Sequence, residues 1–334
     1  MQEYLEAHLE RVCSIFGVTP DQPPLRMRGG YVAYVHRIDS TDGTTYFSKT
    51  YDAERPITAM IMPTLEHISL ATQWLARQPT LQQRLVAPLS AVTGDVLVRD
   101  GRYTTLLFPF IEGVTPREQP LTDTQFTHLV DTVSRLHAID ADNPALATVP
   151  RERFAPVWID DIAPAIDRIA VSSHTLYPIL CAKSTALHAS FRVFRTLAHT
   201  LAAMQLPMVL CHTDIHGYNV VINSDDVPVL IDWEGLTVAP PEHDLLFWTA
   251  HERWPLLYER YRLLHPLHVL DRQRLRYYQG RRLFEDLIQD IQRIEGETLV
   301  DDERSILIAS IDAVSSEIIA WGEIDASFDV EVAT

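Results

Sequence analysis

The chain has 334 residues, of which 46% are hydrophobic and 22% charged, the composition of a globular protein long enough for two hydrophobic cores. Its formal net charge of -17 argues against a nucleic-acid partner, because surfaces that bind phosphate backbones carry clustered lysine and arginine. An acidic surface instead attracts cations, although many soluble proteins are acidic without binding one.

The cysteines and the apolar pattern indicate the compartment. Cys13, Cys181 and Cys211 are odd in number and far apart, which predicts a reducing environment without structural disulfides or a cysteine-based zinc site. The acidic, amphipathic first 18 residues do not resemble a signal peptide, and no apolar run approaches the roughly 18 residues that span a bilayer. We therefore expect a cytoplasmic protein, a monomer or weak homodimer, with no membrane partner.

Hydrophobic spacing predicts a mixed amino-terminal part that begins with a helix and alternates strands with a second helix. An Asp42-Gly43 turn joins the second and third strands as a hairpin. The predicted ranges are helix 1–18, strands 25–27, 31–38 and 44–51, helix 64–77, and strands 96–98 and 104–108.

From residue 113 the pattern becomes mainly helical. Thr122 is expected to cap a helix, and a long helix is expected over residues 187–206. After Pro241 the chain is predicted to be helical to near its end. The whole pattern predicts an α+β protein with two domains, residues 1–112, whose first 24 residues are a helical cap and linker, and residues 113–334, which are mainly helical.

Two short apolar runs later in the chain predict a hairpin. They cover residues 209–211 and 227–231, and the turn-forming cluster Asn223-Ser224-Asp225-Asp226 lies between them. We expect these two runs to pair, so that the residues at the open end of the hairpin come together.

Polar residues follow each of these runs. Asp214 and Asn219 follow the first and are five residues apart, as are the Asp and Asn of the protein-kinase loop H-R-D-L-x-x-x-N, and Asp232 follows the second. A lone Asp or Asn in a loop more often forms a turn. Phosphoryl transfer, however, needs this set, so we expect Asp214 to orient the attacking hydroxyl, and Asn219 and Asp232 to hold Mg²⁺.

His212 and His216 invite a second interpretation, because histidines four residues apart on a helix can share a zinc ion. The Glu of H-E-x-x-H is missing, and Gly217 and the preceding strand indicate a loop. We therefore expect no zinc site.

The runs CHTDIHGYNVVI, IDWEG and APPEHDL resemble the aminoglycoside phosphotransferase and choline kinase superfamily, and are most similar to spectinomycin phosphotransferases. Trp233 and Glu234 replace the Phe and Gly of the protein-kinase D-F-G motif, a departure that is typical of small-molecule kinases. The resemblance implies a bilobal protein-kinase-like fold of the α+β class, with a small β-sheet lobe and a larger, mainly helical lobe. In such a fold, residues 1–112 would bind the nucleotide, and residues 113–334 would be catalytic and bind the acceptor. The dense match is confined to residues 209–245.

The resemblance also implies roles for single residues. Lys49, at the end of the third strand, would hold the nucleotide phosphates and pair with Glu66 of the next helix, with Glu54 in a loop as competitor. His212 would position its loop through a backbone hydrogen bond. Asp244 would brace the catalytic loop, and it would also fit as the N-cap of the following helix.

Besides Lys49, four residues are candidates for binding the nucleotide. Gly29 and Gly30 would let backbone N–H groups approach phosphate, but neither G-x-G-x-x-G nor a P-loop is present, so a plain turn fits nearly as well. The resemblance places Phe110 and Ile111 at the adenine-facing backbone of the hinge. The expected cofactors are ATP and Mg²⁺, with GTP as an alternative because recognition by backbone does not separate the two purines.

The acceptor pocket is the feature that the sequence predicts least well. A pocket for a cation would use carboxylates and aromatic faces, although a solvated or core role fits each candidate as well. The candidates are Glu234, Trp248, Tyr278, Glu285 and Asp286.

We expect a phosphotransferase that moves phosphate from Mg²⁺-ATP to a hydroxyl of a small cationic acceptor, with spectinomycin or a related aminocyclitol or aminoglycoside antibiotic first. One alternative is a metabolic kinase for choline, an amino sugar or another alcohol. Another is a non-catalytic nucleotide-binding protein, against which the intact set Lys49, Asp214, Asn219 and Asp232 argues.

Overall fold

The computed structural model describes residues 2–27, 32–55, 57–170, 174–297 and 299–324. Residue contacts divide the chain into two compact units. The first comprises Met1–Pro150, Val209–Val238 and Leu256–Pro266, and the second Arg151–Met208, Ala239–Pro255 and Leu267–Thr334. The predicted domain boundary after residue 112 lies inside the first of these units, and the two predicted domains stay a prediction.

The helices and strands follow one another in an order that changes from mixed to mainly helical along the chain. They are α1 (Gln2–Phe16), β1 (Leu25–Arg26), β2 (Tyr34–Asp39), β3 (Thr45–Asp52), α2 (Thr58–Ile61), α3 (Leu65–Ala76), β4 (Val98–Asp100), β5 (Tyr103–Pro109), β6 (Gly113–Val114), α4 (Asp123–His137), α5 (Ile162–Ile169), α6 (Tyr177–Leu180), α7 (Ser184–Ala202), β7 (Val209–Cys211), β8 (Val220–Asn223), β9 (Pro228–Leu230), β10 (Thr237–Ala239), α8 (Glu242–Leu245), α9 (Trp254–Arg262), α10 (Arg272–Gly296) and α11 (Asp301–Glu323).

An antiparallel sheet in the order β1-β2-β3-β5-β4 forms the core of the first unit. The predicted hairpin joins β2 to β3, and Gly43 takes a φ of 84° in its turn, a conformation that glycine adopts without steric cost. The strand β3 is central, and its Lys49 lies opposite Val35 on one neighbour and Leu106 on the other. Lys49 is therefore held by a strand that is paired on both sides.

The two faces of this sheet bury different clusters, because side chains alternate along a strand. One cluster contains Tyr51, Leu106 and Leu65 of α3. The other contains Leu107, the next residue of β5, and Cys13 of α1. The helices α3 and α1 thus contribute to opposite faces of the sheet.

The hairpin predicted from residues 209–211 and 227–231 is wrong in its first strand. The strand β9 pairs with β8, and the predicted turn after Asn223 joins them, whereas β7 pairs with β10. The strand β8 was not predicted, because it is a short apolar run directly after the polar loop. Since Asn219 precedes β8 and Asp232 follows β9, the corrected hairpin still brings these two residues to its open end.

The predicted cap of α4 is confirmed in detail. Thr122 Oγ1 accepts a hydrogen bond of 3.3 Å from the Gln125 N–H, and Gln125 Oε1 accepts one of 2.8 Å from the Thr122 N–H. The helix predicted over 187–206 is α7, which begins and ends a few residues earlier. Its boundary differs because helix ends depend on local turns that spacing does not reveal.

The second unit is helical, and its core is rich in aromatic rings. Phe194 of α7 stacks on Tyr277 of α10 with ring centroids 5.3 Å apart, and Trp158 stacks on the same phenylalanine at 5.8 Å. Trp321 of α11 meets Phe194 edge-on at 6.3 Å. These rings join α7, α10 and α11 into one packed group.

The helix α11 is long and apolar enough to cross a bilayer by length and composition, which the sequence interpretation did not anticipate. Two carboxylates, Asp312 and Glu317, interrupt its apolar part, residues 305–322. Its buried positions, among them Ile311 and Ile318, lie on the side that packs against α7 and α10. This one-sided burial is typical of a helix that packs one face against its neighbours, and the absence of a membrane partner stays a prediction.

A buried ion pair joins two helices of the second unit. Glu242 of α8 is fully buried, and its two carboxylate oxygens accept hydrogen bonds of 2.8 and 2.9 Å from Arg274 of α10. Burial favours the neutral carboxyl, but hydrogen bonds from His268, Arg274 and the Asp271 N–H outweigh it and lower the pKa of Glu242 to about 2. The native state therefore favours the ionised form of this residue.

This pair predicts an acid-sensitive contribution to stability. The folded pKa of Glu242 is about 2 and the unperturbed value is 4.5, so its contribution is present above about 4.5 and is lost as the pH falls towards 2. Glu242→Gln should lower the free energy of unfolding by about 3–5 kcal/mol at pH 7, because Arg274 stays buried without the carboxylate that accepts its two short hydrogen bonds, and Asp271 lies 3.6 Å away. The loss should shrink as the pH falls from 5 to 3, measured by urea denaturation at each pH.

Glu303→Gln, an exposed position in the first turn of α11, serves as the matched control and should leave the free energy of unfolding within about 0.5 kcal/mol of wild type. A Glu242→Gln protein with the wild-type pH profile would contradict the role assigned to this ion pair.

Candidate active site

Two tight backbone turns lead the chain into the candidate site. Thr213 follows β7 with a φ of 76°, and Asp232 follows β9 with a φ of 68°. Positive φ is rare for residues other than glycine, and for a β-branched threonine it is a genuine outlier. Such strained positions are common at active sites, where the surrounding structure holds them in place.

His212 links these two turns. Its imidazole is fully buried, its Nδ1 accepts the Asp214 N–H at 3.3 Å, and its Nε2 lies 2.8 Å from the carbonyl oxygen of Ile231. Because Nδ1 accepts, Nε2 carries the proton and donates it to that carbonyl. The loop that holds Asp214 is thereby attached to the residue before Asp232.

Asn219 fixes the Asp214 side chain. Its Nδ2 donates to Asp214 Oδ2 at 2.7 Å and to the Asp214 carbonyl at 3.0 Å, so its own carbonyl oxygen is the atom that could ligate a cation. His216 Nε2 lies 3.3 Å from the same Oδ2. The Asp214 side chain keeps 32% of its surface exposed, which leaves the carboxylate accessible to a substrate.

Lys49 lies between two carboxylates. Its Nζ is 2.6 Å from Asp232 Oδ1 and 2.5 Å from Glu234 Oε1. Tyr51 of the same strand donates its hydroxyl to that Glu234 oxygen. The structure thus brings Lys49, Asp232 and Glu234 together, with Tyr51 as a fourth member that the sequence interpretation missed.

One ammonium beside two carboxylates gives an excess of one negative charge when both carboxylates are ionised. The pKa values of Glu234, Lys49 and Asp232 are shifted accordingly. Burial and the Asp232 carboxylate raise the pKa of Glu234 to about 7. Burial opposes the charged forms of Lys49 and Asp232, but their mutual attraction prevails, so the pKa of Lys49 is raised and that of Asp232 is lowered. Asp214 acts on Asp232 in the opposite sense, which shows that the two carboxylates are within electrostatic reach.

The structure does not bring Glu66 to Lys49. Among the described residues, the carboxylates within ion-pair distance of Lys49 Nζ are those of Asp232 and Glu234. Glu66 is half-exposed and accepts a hydrogen bond of 2.8 Å from Arg99. Its neighbour Leu65 occupies the buried face of α3. Because successive helical residues point about 100° apart, Glu66 points away from that buried face.

The competing Glu54 is likewise paired elsewhere, because its carboxylate lies 2.7 Å from Arg102 Nη1. Phe110 and Ile111 are half-buried between β5 and β6, and the Phe110 N–H donates to the Thr45 carbonyl at 3.1 Å. Gly29 and Gly30 lie outside the described residues.

Most acceptor candidates belong to the second unit. Trp248 and Tyr278 are buried, and the Tyr278 ring stacks on His243 with centroids 4.0 Å apart. Asp286 lies 3.2 Å from Arg282, and Glu285 lies 3.9 Å from an arginine one turn earlier, so both carboxylates already face a cation on α10. Burial raises the pKa of Asp286 to about 6.

Asp244 is fully buried within α8, whose N-cap residue is Pro241. The interpretation of Asp244 as an N-cap is therefore wrong, because the helix begins two residues earlier. Its predicted role as a brace for the catalytic loop stays a prediction.

The arrangement in the first unit suits a particular chemistry. Asn219 and Asp232 present hard oxygen atoms, which Mg²⁺ prefers, and a magnesium ion that also binds phosphates needs only one or two protein carboxylates. Lys49 adds a cation for phosphate, and Asp214 can accept a hydrogen bond from a hydroxyl. The donor set therefore fits a site for a polyphosphate, a divalent cation and an alcohol.

The family model described as the phosphotransferase enzyme family matches residues 35–278, more than half of the chain. No curated protein sequence matches the chain.

Solved structures share the fold at low sequence identity. A spectinomycin phosphotransferase in complex with ADP and spectinomycin has a TM-score of 0.72 at 20% identity, and the match covers 94% of this chain and 97% of that one. Amicoumacin kinase with AMP-PNP, Ca²⁺ and Ami gives 0.61 at 12%, covering 95% and 96%. Choline kinase from Streptococcus pneumoniae gives 0.60 at 14%, covering 95% and 99%. The likeness confirms the predicted α+β, protein-kinase-like fold.

Gly235 provides a test of how tightly the site is packed. A Cβ at this position would lie 2.2 Å from Thr213 Oγ1 and 3.2 Å from the His212 carbonyl oxygen. Gly235→Ala should therefore displace the turn before Asp214 and lower the free energy of unfolding by about 1–3 kcal/mol, measured by urea denaturation.

Gly217→Ala is the matched control, because a Cβ there meets its nearest atoms at 3.5–3.6 Å, which is ordinary van der Waals contact. Both substitutions restrict the unfolded chain alike, so the difference between the two variants isolates crowding in the folded state. Equal free energies of unfolding for the two variants would show that the turn at Thr213 accommodates the added Cβ without cost.

Proposed function

Because the chain belongs to the phosphotransferase enzyme family, we propose that it transfers phosphate from Mg²⁺-ATP to a hydroxyl group of a small cationic molecule. The observation that supports this most directly is the pair Asp214–Asn219, joined by a hydrogen bond of 2.7 Å and attached through His212 to the segment of Asp232. Phosphoryl transfer depends mainly on positioning and charge stabilisation, which these contacts provide.

Asp214 is the residue that receives the acceptor hydroxyl. Two N–H donors, Asn219 Nδ2 and His216 Nε2, approach its Oδ2, which fixes in one orientation a carboxylate that is 32% exposed. A hydroxyl bound there has its oxygen directed towards the phosphate by the hydrogen bond that it donates.

Asn219 and Asp232 would hold Mg²⁺, which neutralises charge on the phosphates when bound. Lys49 is the second source of positive charge. In the present arrangement its ammonium compensates Asp232 and Glu234, so a nucleotide competes with Asp232 for the same ammonium. Glu234 keeps Lys49 partnered on its other side.

The nucleotide would bind along the segment after β5. The Phe110 N–H is already bonded to Thr45, so the Ile111 N–H is the donor that we assign to the purine edge. The solved neighbours contain ADP and AMP-PNP, which favours ATP, with GTP as the alternative.

Two acceptor classes follow from the solved neighbours. Spectinomycin is bound in the neighbour with a TM-score of 0.72, which favours an aminocyclitol and a role in antibiotic resistance. The choline kinase neighbour favours a metabolic kinase for a small alcohol as the second candidate. The net charge of -17 suits a cationic acceptor in either case, and ATP and reduced cysteines fit the cytoplasm.

The deciding experiment measures ADP release by a coupled assay with Mg²⁺-ATP against spectinomycin, several aminoglycosides and choline. Turnover with spectinomycin alone would establish an aminocyclitol kinase. Turnover with choline alone would establish a metabolic kinase. ATP binding without turnover on any acceptor would contradict the proposed activity and favour the nucleotide-binding alternative.

Asp214→Asn should lower kcat by about 10²–10⁴-fold, because an amide cannot accept the proton that the hydroxyl loses. The Kd for ATP, measured by calorimetry, should stay within a few-fold of wild type. Asp225→Asn, at an exposed position in the β8–β9 turn, is the matched control and should retain wild-type kcat. Wild-type turnover by Asp214→Asn would remove Asp214 from the reaction.

Asp232→Asn should raise the Mg²⁺ concentration for half-maximal activity by about tenfold or more, because one of the two expected oxygen ligands loses its charge. The measurement is a Mg²⁺ titration at saturating ATP, with Asp225→Asn again as the control. An unchanged half-maximal concentration, with activity retained, would show that Asp232 does not ligate the metal.

A further inference from the structure

Tyr51 lies two residues after Lys49 on β3, so the two side chains point to the same face of the sheet. Its ring is buried and belongs to the same cluster as Leu65 and Leu106. The hydroxyl extends from this apolar cluster to Glu234 Oε1, the oxygen that also accepts the Lys49 ammonium. One carboxylate oxygen thus receives two donors from one strand.

Glu234 has limited freedom in this arrangement. Its side chain is 13% exposed, and its second oxygen, Oε2, is buried without a hydrogen-bond partner among the described residues. Lys49 alone would hold it loosely, because a lysine side chain has four rotatable bonds. Tyr51 has two, and its ring is locked in the core, so its hydroxyl is the fixed point of the cluster.

The expected support for Lys49 from α3 is absent in the described contacts, since Glu66 pairs with Arg99. The ammonium is positioned instead by β3 itself and by the segment that follows Asp232. A residue that fixes Glu234 therefore also fixes Lys49.

Resting on the proposed function, we propose that Tyr51 is a positioning residue for phosphoryl transfer, whose buried hydroxyl holds Glu234 and through it fixes the Lys49 ammonium beside the nucleotide phosphates. When phosphates draw Lys49 from Asp232, Tyr51 keeps Glu234 in place, so the ammonium retains one carboxylate partner in a defined direction. Without the hydroxyl, Glu234 follows Lys49, and the ammonium loses its fixed distance to the phosphates.

The test compares Tyr51→Phe with Tyr103→Phe. Tyr103 is equally buried in the same sheet, on β5, and its hydroxyl has no hydrogen-bond partner among the described residues, so its removal controls for the loss of a buried hydroxyl. Each variant is examined for its unfolding midpoint in urea, its Kd for ATP by calorimetry, and its kcat and KM for ATP.

Tyr51→Phe should raise the Kd and KM for ATP by about tenfold and lower kcat by a smaller factor, while Tyr103→Phe should match wild type in all three constants. A purely structural role would shift the unfolding midpoint of Tyr51→Phe and leave the constants of the folded protein unchanged, which would overturn the proposal.

A double-mutant cycle tests the route through Glu234. If Tyr51 acts through this carboxylate, then Tyr51→Phe should change kcat/KM for ATP no further in a Glu234→Ala background. Additive effects of the two substitutions would overturn the assigned route.

The two proposals can fail separately. A wild-type protein that binds ATP but turns over no acceptor would overturn the proposed function, and the Kd for ATP of Tyr51→Phe would then decide the positioning role. A Tyr51→Phe protein with wild-type Kd and KM would overturn the positioning role while leaving the phosphotransferase in place.

Discussion

The ammonium of Lys49 between the carboxylates of Asp232 and Glu234 is the interaction on which the candidate site depends. It joins β3 to a segment more than 180 residues later and fixes both at distances of 2.5–2.6 Å. The largely buried carboxylate of Glu234 and the partly exposed carboxylate of Asp232 share one ammonium, and an uncompensated buried charge is costly. Such a cluster is poorly suited to stabilising a fold by itself, but its excess negative charge suits the binding of a cation.

The site also contains strained backbone at two positions, which only the surrounding contacts hold in place. Thr213 and Asp232 adopt positive φ, and a Cβ on Gly235 would collide with the Thr213 side chain. Their conformations persist because buried His212 ties the carbonyl of Ile231 to the Asp214 N–H. Proteins accept local conflicts of this kind where function requires them, while the surrounding structure compensates. Asp214 and Asp232 are consequently held by one hydrogen-bonded unit.

Caps and turns formed by neighbouring residues could be predicted from the sequence, whereas contacts between residues distant along the chain could not. The Thr122 cap and the turn after Asn223 depend on residues within four positions, and both were predicted. The pairing of β7 with β10, and the choice of Glu234 over Glu66 as a partner of Lys49, depend on how remote segments meet. The charges of residues and their spacing along the chain do not specify such long-range contacts. Tyr51 left one faint signal, its two-residue spacing from Lys49 on a strand.

An acidic chain does not by itself make a cation pocket, and α10 shows why. The helix carries Glu285 and Asp286, but arginines one turn earlier face both of them. Five arginines lie in its first eleven residues, so this half of the helix repels a cation as much as its carboxylates attract one. A cationic acceptor would have to displace these arginines to use either carboxylate. Selection for positive charge therefore requires carboxylates whose charge is in excess, and in the described site that excess lies around Lys49, where Asp232 and Glu234 share one ammonium.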